Sequence, residues 1–493
     1  LMDSMRTLAG LIVLLALAVL AAVAVDMCTD RSEAGAAQTR QPAGADGAAG
    51  PVTARAELVR DKIALHGDGR FGLRLTLSAP DAPAVAAGPQ TPVDLVLVLD
   101  RSGSMDGVKL ALARRAALSL VDKLGPADRF ALVSYADDVT VHGPLRVMDE
   151  AGRAAARAEV AGVFAGGGTN LGGGLAHGLA LLDQAAEEAR PGLPAGAFVP
   201  RLGRLVLISD GKANQGVVDP AELGRLAAEG MARGATVSCL GVGLDFNEAA
   251  LSSLAESGGG SYAFLDDPGR LAGALEAELR HARNVAAAAL AVRVALPGDV
   301  LLTDAAGYPV RFRDGAAVFH PGDLSVGQTR ELFLTFAAAA DHEGTYALGG
   351  IDIEYLAPDG GRVRGDLARD GSLAVRCVAD RAEADASLRR PVWEAEVLRR
   401  DWGRLQEDVA ADVAAGDPVR ARARLASYQG RLADENAAAG SRLVAEHLER
   451  DLPALRAEVD RAFAPGAAPR QAERTAKTIQ AAGWSLSRDA ARP

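Results

Sequence analysis

The sequence predicts a doubly wound α/β domain with a mostly parallel sheet, inserted in or followed by a β-sandwich and trailed by an α-helical region. Three observations carry that fold class. Residues 95–99 are an unbroken Leu/Val run ending in Asp100, and residues 205–208 repeat the pattern ahead of Ser209-Asp210-Gly211. Such runs are strands buried on both faces, as in a parallel sheet covered by helices. On either side of this region, apolar residues alternate with period two, and beyond Arg381 they recur at steps of three and four.

The chain has 493 residues, 49% apolar and 24% charged, enough for roughly two to four cores. Its net charge is −11, and no basic stripe interleaved with aromatics appears. Nucleic acid is therefore not an expected partner.

Residues 8–25 are uncharged and rich in Leu, Ala and Val, with Arg6 ahead of them. Residues 1–27 thus read as an export signal, cut near Ala22-Val23-Ala24, or as an N-terminal membrane anchor; the length of the run favours the anchor. Lipid attachment at Cys28 ranks below both. The expected location is extracytoplasmic, periplasmic or at the cell surface. Residues 28–51, rich in Ala, Gly, Gln and Pro, read as a flexible linker.

Residues 52–91 read as the first strands of the sandwich, with Leu73, Leu75 and Leu77 on one face, and residues 284–380 as the remainder, punctuated by turns such as Asp314-Gly315 and Pro321-Gly322. Residues 92–283 alternate strands and helices, giving the doubly wound sheet. Residues 381–465 form amphipathic helices, and residues 466–493 a frayed tail with Trp484 docking back. Three cysteines are too few for a disulfide framework, and their spacing does not suggest zinc. Cys239 is expected to be a buried, inert thiol, a Cys239–Cys377 pair being the minor alternative.

The residues that carry chemistry lie where the buried strands end. Asp100, Ser102 and Ser104 alternate along a turn, so their oxygens can converge, and Gly103 lets the backbone fold tightly between them. Thr169 lies in the loop Gly166-Gly167-Gly168-Thr169-Asn170, and Asp210 closes the second apolar run. Hard oxygen donors of this kind suit Mg2+, Mn2+ or Ca2+. The competing reading is that these short polar side chains cap helices.

The segments DRSGS, GGGTN and LISDGKAN, in this order, resemble the metal-ion-dependent adhesion site of von Willebrand factor type A domains. LGVGLDFNE and SGGGSY further on resemble later strands of bacterial members, so the resemblance spans residues 92–283, about two-fifths of the chain. It implies that Ser102, Ser104 and Thr169 are hydroxyl ligands, and that Asp100 and Asp210 act directly or through water. Two carboxylates leave a dication no surplus negative charge, and helices starting near Asp106 and Leu171 point positive ends at it. An open position would then favour an Asp or Glu of a partner protein.

The expected function is an extracytoplasmic, metal-dependent protein-binding module for adhesion or scaffolding. The alternatives are an envelope-assembly protein with a structural ion, or an accessory subunit of an enzyme. Catalysis by the chain itself is not expected: there is no G-x-S-x-G elbow, His142 and His177 are isolated, and Gly166–Gly174 lacks the Lys-Ser/Thr of a P-loop.

Overall fold

Successive side chains of a strand face opposite sides, so a continuous apolar run must be covered twice. The computed structural model, which describes residues 44–81, 92–188, 201–358, 361–367, 372–468 and 470–487, shows how this chain does it. All eight residues of the strand Val93–Asp100 are buried. Leu95, Leu97 and Leu99 enter a core with the helices Val108–Lys123, Glu150–Ala161 and Leu271–Arg283. Val96 and Val98 enter a second core, under the helices Leu171–Glu188, Pro220–Ala232 and Glu248–Ser257. The sheet runs Gly259–Leu265, Ala235–Val242, Leu202–Ser209, Val93–Asp100, Arg129–Tyr135, Val139–Val141. Its first five strands are parallel, and Val139–Val141 and Arg146–Val147 pair antiparallel to Arg129–Tyr135.

Among the described residues, the β-rich remainder comprises two five-stranded antiparallel sheets and a three-stranded sheet that share one apolar core. The strand Arg70–Ser78 pairs with Thr329–Ala338, Leu75 opposite Leu332, and the rings of Phe71 and Phe336 stack at 5.4 Å. The chain on both sides of residues 92–283 therefore feeds one sheet. Residues 44–49, within the expected linker, are instead a strand, Gly44–Ala49, zipped to Val52–Leu58, with Ala49 buried in the shared core and its carbonyl accepting from the Tyr355 hydroxyl at 2.6 Å. Its small residues are required, since a methyl group on Gly47 would meet the Asp366 carbonyl at 2.8 Å.

Pro321-Gly322 is likewise no turn but lies inside the strand Ala316–Ser325, at a register shift. Gly322 has φ 84° and lies so close to Gly259 of the α/β sheet that a side chain would collide with the Gly259 carbonyl. Beside that contact the Arg204 guanidinium meets the Asp323 carboxylate at 2.6 Å, joining the α/β unit to the β-rich body. The expected signal or anchor, Cys28 and the chain end after residue 487 lie outside the described residues.

The helices Trp402–Ala414, Pro418–Ala439 and Arg442–Ala462 pack into their own core. The expected frayed tail is a further helix, Gln471–Ser487, in which Ala476, Ile479, Gly483 and Trp484 are buried. His447, 2% exposed, stands edge-on to Trp402 at 4.6 Å and shares a 3.3 Å hydrogen bond with the Tyr428 hydroxyl. Burial holds its pKa below the usual histidine value, against the opposing pull of Asp451. A depressed folded-state pKa means the neutral ring is favoured by folding, so that stability is complete above ~6.5 and is lost as pH falls below it. His447→Gln is expected to flatten the acid side of a plot of melting temperature against pH between about 7 and 5. An unchanged acid slope would refute the assignment.

Candidate metal centre

In sequence order the strand after Val93–Asp100, Arg129–Tyr135, lies on one side of it, and the next long strand, Leu202–Ser209, lies on the other. Chain order thus reverses between Val93–Asp100 and Leu202–Ser209, and loops leaving such a switch point diverge to open a crevice at the carboxyl ends of the strands. Leu99 is in register with Ile208, so Asp100 and Asp210 leave neighbouring strand ends. The loop carrying Thr169 is laced to both. Gly166 N–H donates to the Arg101 carbonyl at 2.8 Å, and Gly103 N–H to the Gly167 carbonyl at 3.0 Å. Thr169 N–H donates to Asn214 Oδ1 at 2.8 Å, and Asn214 N–H returns a bond to the Thr169 carbonyl at 3.1 Å.

The five sequence-predicted residues come together. Ser102 Oγ and Ser104 Oγ are 3.0 Å apart, and Ser104 Oγ donates to Asp210 Oδ1 at 2.7 Å. Asp100 Oδ1 accepts from Ser102 N–H at 2.8 Å, and its Oδ2 from Ser209 Oγ at 2.9 Å. A methyl group on Gly211 would lie 3.2 Å from Thr169 Oγ1 and 3.3 Å from Ser104 Oγ, which places both hydroxyls against one point of the backbone. Asp100 and Asp210 are 0% exposed, Ser102 2% and Thr169 3%, whereas Ser104 is exposed. The cluster therefore opens to solvent on the Ser104 side.

The capping alternative fails at the positions that matter. Ser102 precedes the short 3-10 turn Gly103–Met105 yet makes no side-chain cap, forgoing a bond worth about 1 kcal/mol. The helix beginning at Leu171 takes its cap from Asn170, whose Oδ1 accepts from Gly173 N–H at 3.0 Å, leaving Thr169 Oγ1 out of that role. Elsewhere the same residue types do cap, as Asp149, Asn247 and Ser441 show.

Charge is what the cluster lacks. Burial pushes the Asp100 pKa above its ordinary value, bonds from Ser102 and Ser209 counter this, and the Asp210 charge adds to the rise. Among the described residues, the ammonium paired with these two buried carboxylates is that of Lys109, on Asp210 Oδ2. Burying unbalanced charge is costly, and a dication among these hard oxygens would balance it. The donor set fits Mg2+, Mn2+ or Ca2+: two carboxylates and three hydroxyls, with no cluster of three His, Cys, Asp or Glu among the described residues.

Lys109, Ser209 and Asn214 were not singled out from the sequence. Asn214 does stand in LISDGKAN, whereas Lys109 looks like any lysine on a helix face. His142 bonds Ser134 Oγ at 2.8 Å and His177 the Gly173 carbonyl at 2.8 Å, so neither ring turns to the cluster. Cys239 and Cys377 are free and buried, so the alternative disulfide is not formed.

The model of the von Willebrand factor type A domain matches residues 94–276. The human inter-alpha-trypsin inhibitor heavy chain H4 is 33% identical over 170 residues, which are 34% of this chain and 18% of that protein, so the chain spans under a fifth of that relative's length. A von Willebrand factor type A protein of Catenulispora acidiphila superposes with a TM-score of 0.61 at 20% identity, covering 91% of this chain and 98% of that one. VWA2 of Sulfolobus acidocaldarius, an ArnB paralog, gives 0.55 at 15%, covering 88% and 98%. At these identities the two structures share the fold. Domains of this kind are commonly metal-dependent protein-interaction modules. Residues 94–276 of this chain are a von Willebrand factor type A domain.

Proposed function

We propose that this domain holds a divalent cation, Mg2+ in the first place and otherwise Mn2+ or Ca2+, through Asp100, Ser102, Ser104, Thr169 and Asp210. We further infer that the ion takes up an Asp or Glu side chain of a partner protein outside the cytoplasm, with the N-terminal apolar segment as membrane anchor. The observation that carries the reading is the turning of the Ser102 and Ser104 hydroxyls toward each other and toward Asp210, at 3.0 and 2.7 Å, where a helix cap would have used them. When bound, the cation supplies an electrophilic position for a carboxylate. The chain's own residues hold that position at the floor of three laced loops. Isothermal titration of the chain with MgCl2, MnCl2 and CaCl2 tests it: one site is expected, lost in Asp100→Ala. Absence of heat for all three salts would overturn it.

The surroundings suit a protein partner. Phe164 (72% exposed) and Val218 (44%) lie on two of the loops that carry the candidate ligands, and Val108 (71%) opens the helix that follows the third, giving apolar side chains along a charge-seeking centre. Large side chains beside a desolvated polar anchor are where binding energy concentrates. With the chain as bait in envelope extracts, Phe164→Ser is expected to weaken magnesium-dependent capture at least about tenfold, as a lost hot-spot side chain does. Metal affinity should stay unchanged. Equal capture by wild type and variant would remove Phe164 from the interface.

A further inference from the structure

We propose that Lys109 is a tethered, displaceable counter-ion of the metal centre, which holds Asp210 and must release it, turning toward Asp245, when a divalent cation is taken up. The inference rests on the metal reading above and assigns a role to a residue outside the five ligands.

Both oxygens of Asp210 are engaged, Oδ1 by the Ser104 hydroxyl and Oδ2 by Lys109 Nζ at 2.5 Å. The same ammonium lies 3.3 Å from the Ser104 carbonyl, so it touches two of the residues expected to hold the ion. Asp210 is fully buried, and a dication and an ammonium on one buried carboxylate repel strongly because little solvent screens them. One of the two must move, and only the lysine is on a flexible stem.

The structure also offers it somewhere to go. The Lys109 side chain is 26% exposed, and beside it lies Gly243, with φ 73°, where a methyl group would stand 3.6 Å from Lys109 Cε and 3.7 Å from Nζ. A glycine here keeps that side open. Two residues on is Asp245, half-exposed, whose pKa is held down first by a hydrogen bond from Arg470 and also by the charge of Lys109. Arg470 Nη2 meets Asp245 Oδ1 at 2.7 Å, just ahead of the C-terminal helix. Lys109 thus stands between a buried carboxylate of the metal centre and a rim carboxylate already gripped by the C-terminal segment. Uptake of the ion would therefore be linked to how firmly that segment holds Asp245.

The test is isothermal titration of the full chain with MnCl2 at constant ionic strength. Lys109→Gln is expected to bind Mn2+ about tenfold more tightly than wild type, the worth of one charged hydrogen bond no longer broken. Lys109→Met repeats the measurement with the stem retained, in case the amide finds a new partner. Lys212→Gln, which removes an exposed charge one residue beyond Gly211, controls for the general field and is expected to change affinity less than about twofold. Asp245→Asn is expected to weaken Mn2+ binding about threefold in the wild-type background and to have no effect in Lys109→Gln, a non-additivity that a simple field does not produce. Equal affinity of Lys109→Gln, Lys109→Met and wild type, or an equal gain from Lys212→Gln, overturns the proposal while leaving the metal site standing. Failure of wild type and both Lys109 variants to bind Mn2+ overturns the metal reading itself.

Discussion

Asp210→Asn is expected to abolish stabilisation by magnesium while leaving the fold intact. A ligand that binds only the folded chain stabilises it by about 2.7 kcal/mol at a hundred times its dissociation constant. For a cooperative unit of the size of this α/β domain that is a rise in melting temperature of roughly 5–10 °C. Asn is nearly isosteric with Asp, so Ser104 Oγ, 2.7 Å away, keeps an acceptor, whereas the charge that would bind the ion is gone. Lys109 loses its anion but, at 26% side-chain exposure, reaches water at modest cost. The removal also separates a binding role from a structural one. If the domain needs its ion in order to fold, wild type in chelator and the variant will both melt far below the magnesium-loaded protein and expose the core around Val93–Asp100. If the ion serves a partner, both will be cooperatively folded, and only the magnesium-dependent increment will differ. Differential scanning calorimetry with and without MgCl2 reads this directly, and an undiminished magnesium shift in Asp210→Asn would remove Asp210 from the centre.

The cluster of the five candidate residues was legible because its parts are local. Each ligand sits where an apolar run or a glycine loop ends, and the run itself says that the strand is central. What placed Asp100 beside Asp210 was chain order at the switch point, and alternation of strands and helices is enough to predict that. Partners that act across the fold left no such mark. Lys109 reaches Asp210 from a residue 101 positions earlier, and nothing in its neighbourhood sets it apart from Lys123 at the other end of the same helix. The strand Gly44–Ala49 escaped notice for a different reason: Gly-Ala-Asp-Gly-Ala-Ala has no large apolar residue, so no periodicity, and it is held by ladder bonds to Val52–Leu58. The last helix was hidden by its Ala- and Arg-rich composition, in which few large apolar residues mark a stripe. A methyl group on Gly483 would lie 2.5 Å from the Gly403 carbonyl, and one on Gly403 would lie 2.7 Å from the Gly483 carbonyl. Two helices cross there backbone to backbone, which only glycine permits, and the buried series Ala476, Ile479, Gly483, Ser487 runs at helical spacing.

Trp484→Ala is expected to release that helix from the von Willebrand factor type A domain without unfolding the domain. Trp484 is 3% exposed, belongs to the second core of the α/β unit and meets Tyr262 edge-to-face at 5.9 Å. Truncating such a side chain costs about 3–5 kcal/mol. The polar contacts between this helix and the α/β unit cannot make this up. Arg470 and Asp245 are both about half exposed, and a pair of that kind contributes at most ~1 kcal/mol. Lys477, 3% exposed in its side chain, meets Glu248 at 3.3 Å, donates to the Phe246 carbonyl at 3.1 Å and lies 3.9 Å from the centre of the Phe246 ring. Burial lowers its pKa below the usual lysine value, with Glu248 opposing, so much of what the pair gains is offset by desolvation. Apolar area, not charge, therefore decides whether the helix stays down. Hydrogen exchange should register the loss as a fall in protection around Trp484 where the helix faces the α/β unit, while the turns carrying Ala476 and Ile479 stay held in the core of the helical region. Residues 93–100 should stay protected, because their two cores are filled mainly by the domain's own helices. A uniform rise in exchange over both segments would instead make the C-terminal helix an integral wall of the domain. Local release would make it a separable arm, one whose first contact is Arg470 with Asp245, the carboxylate toward which Lys109 is proposed to turn.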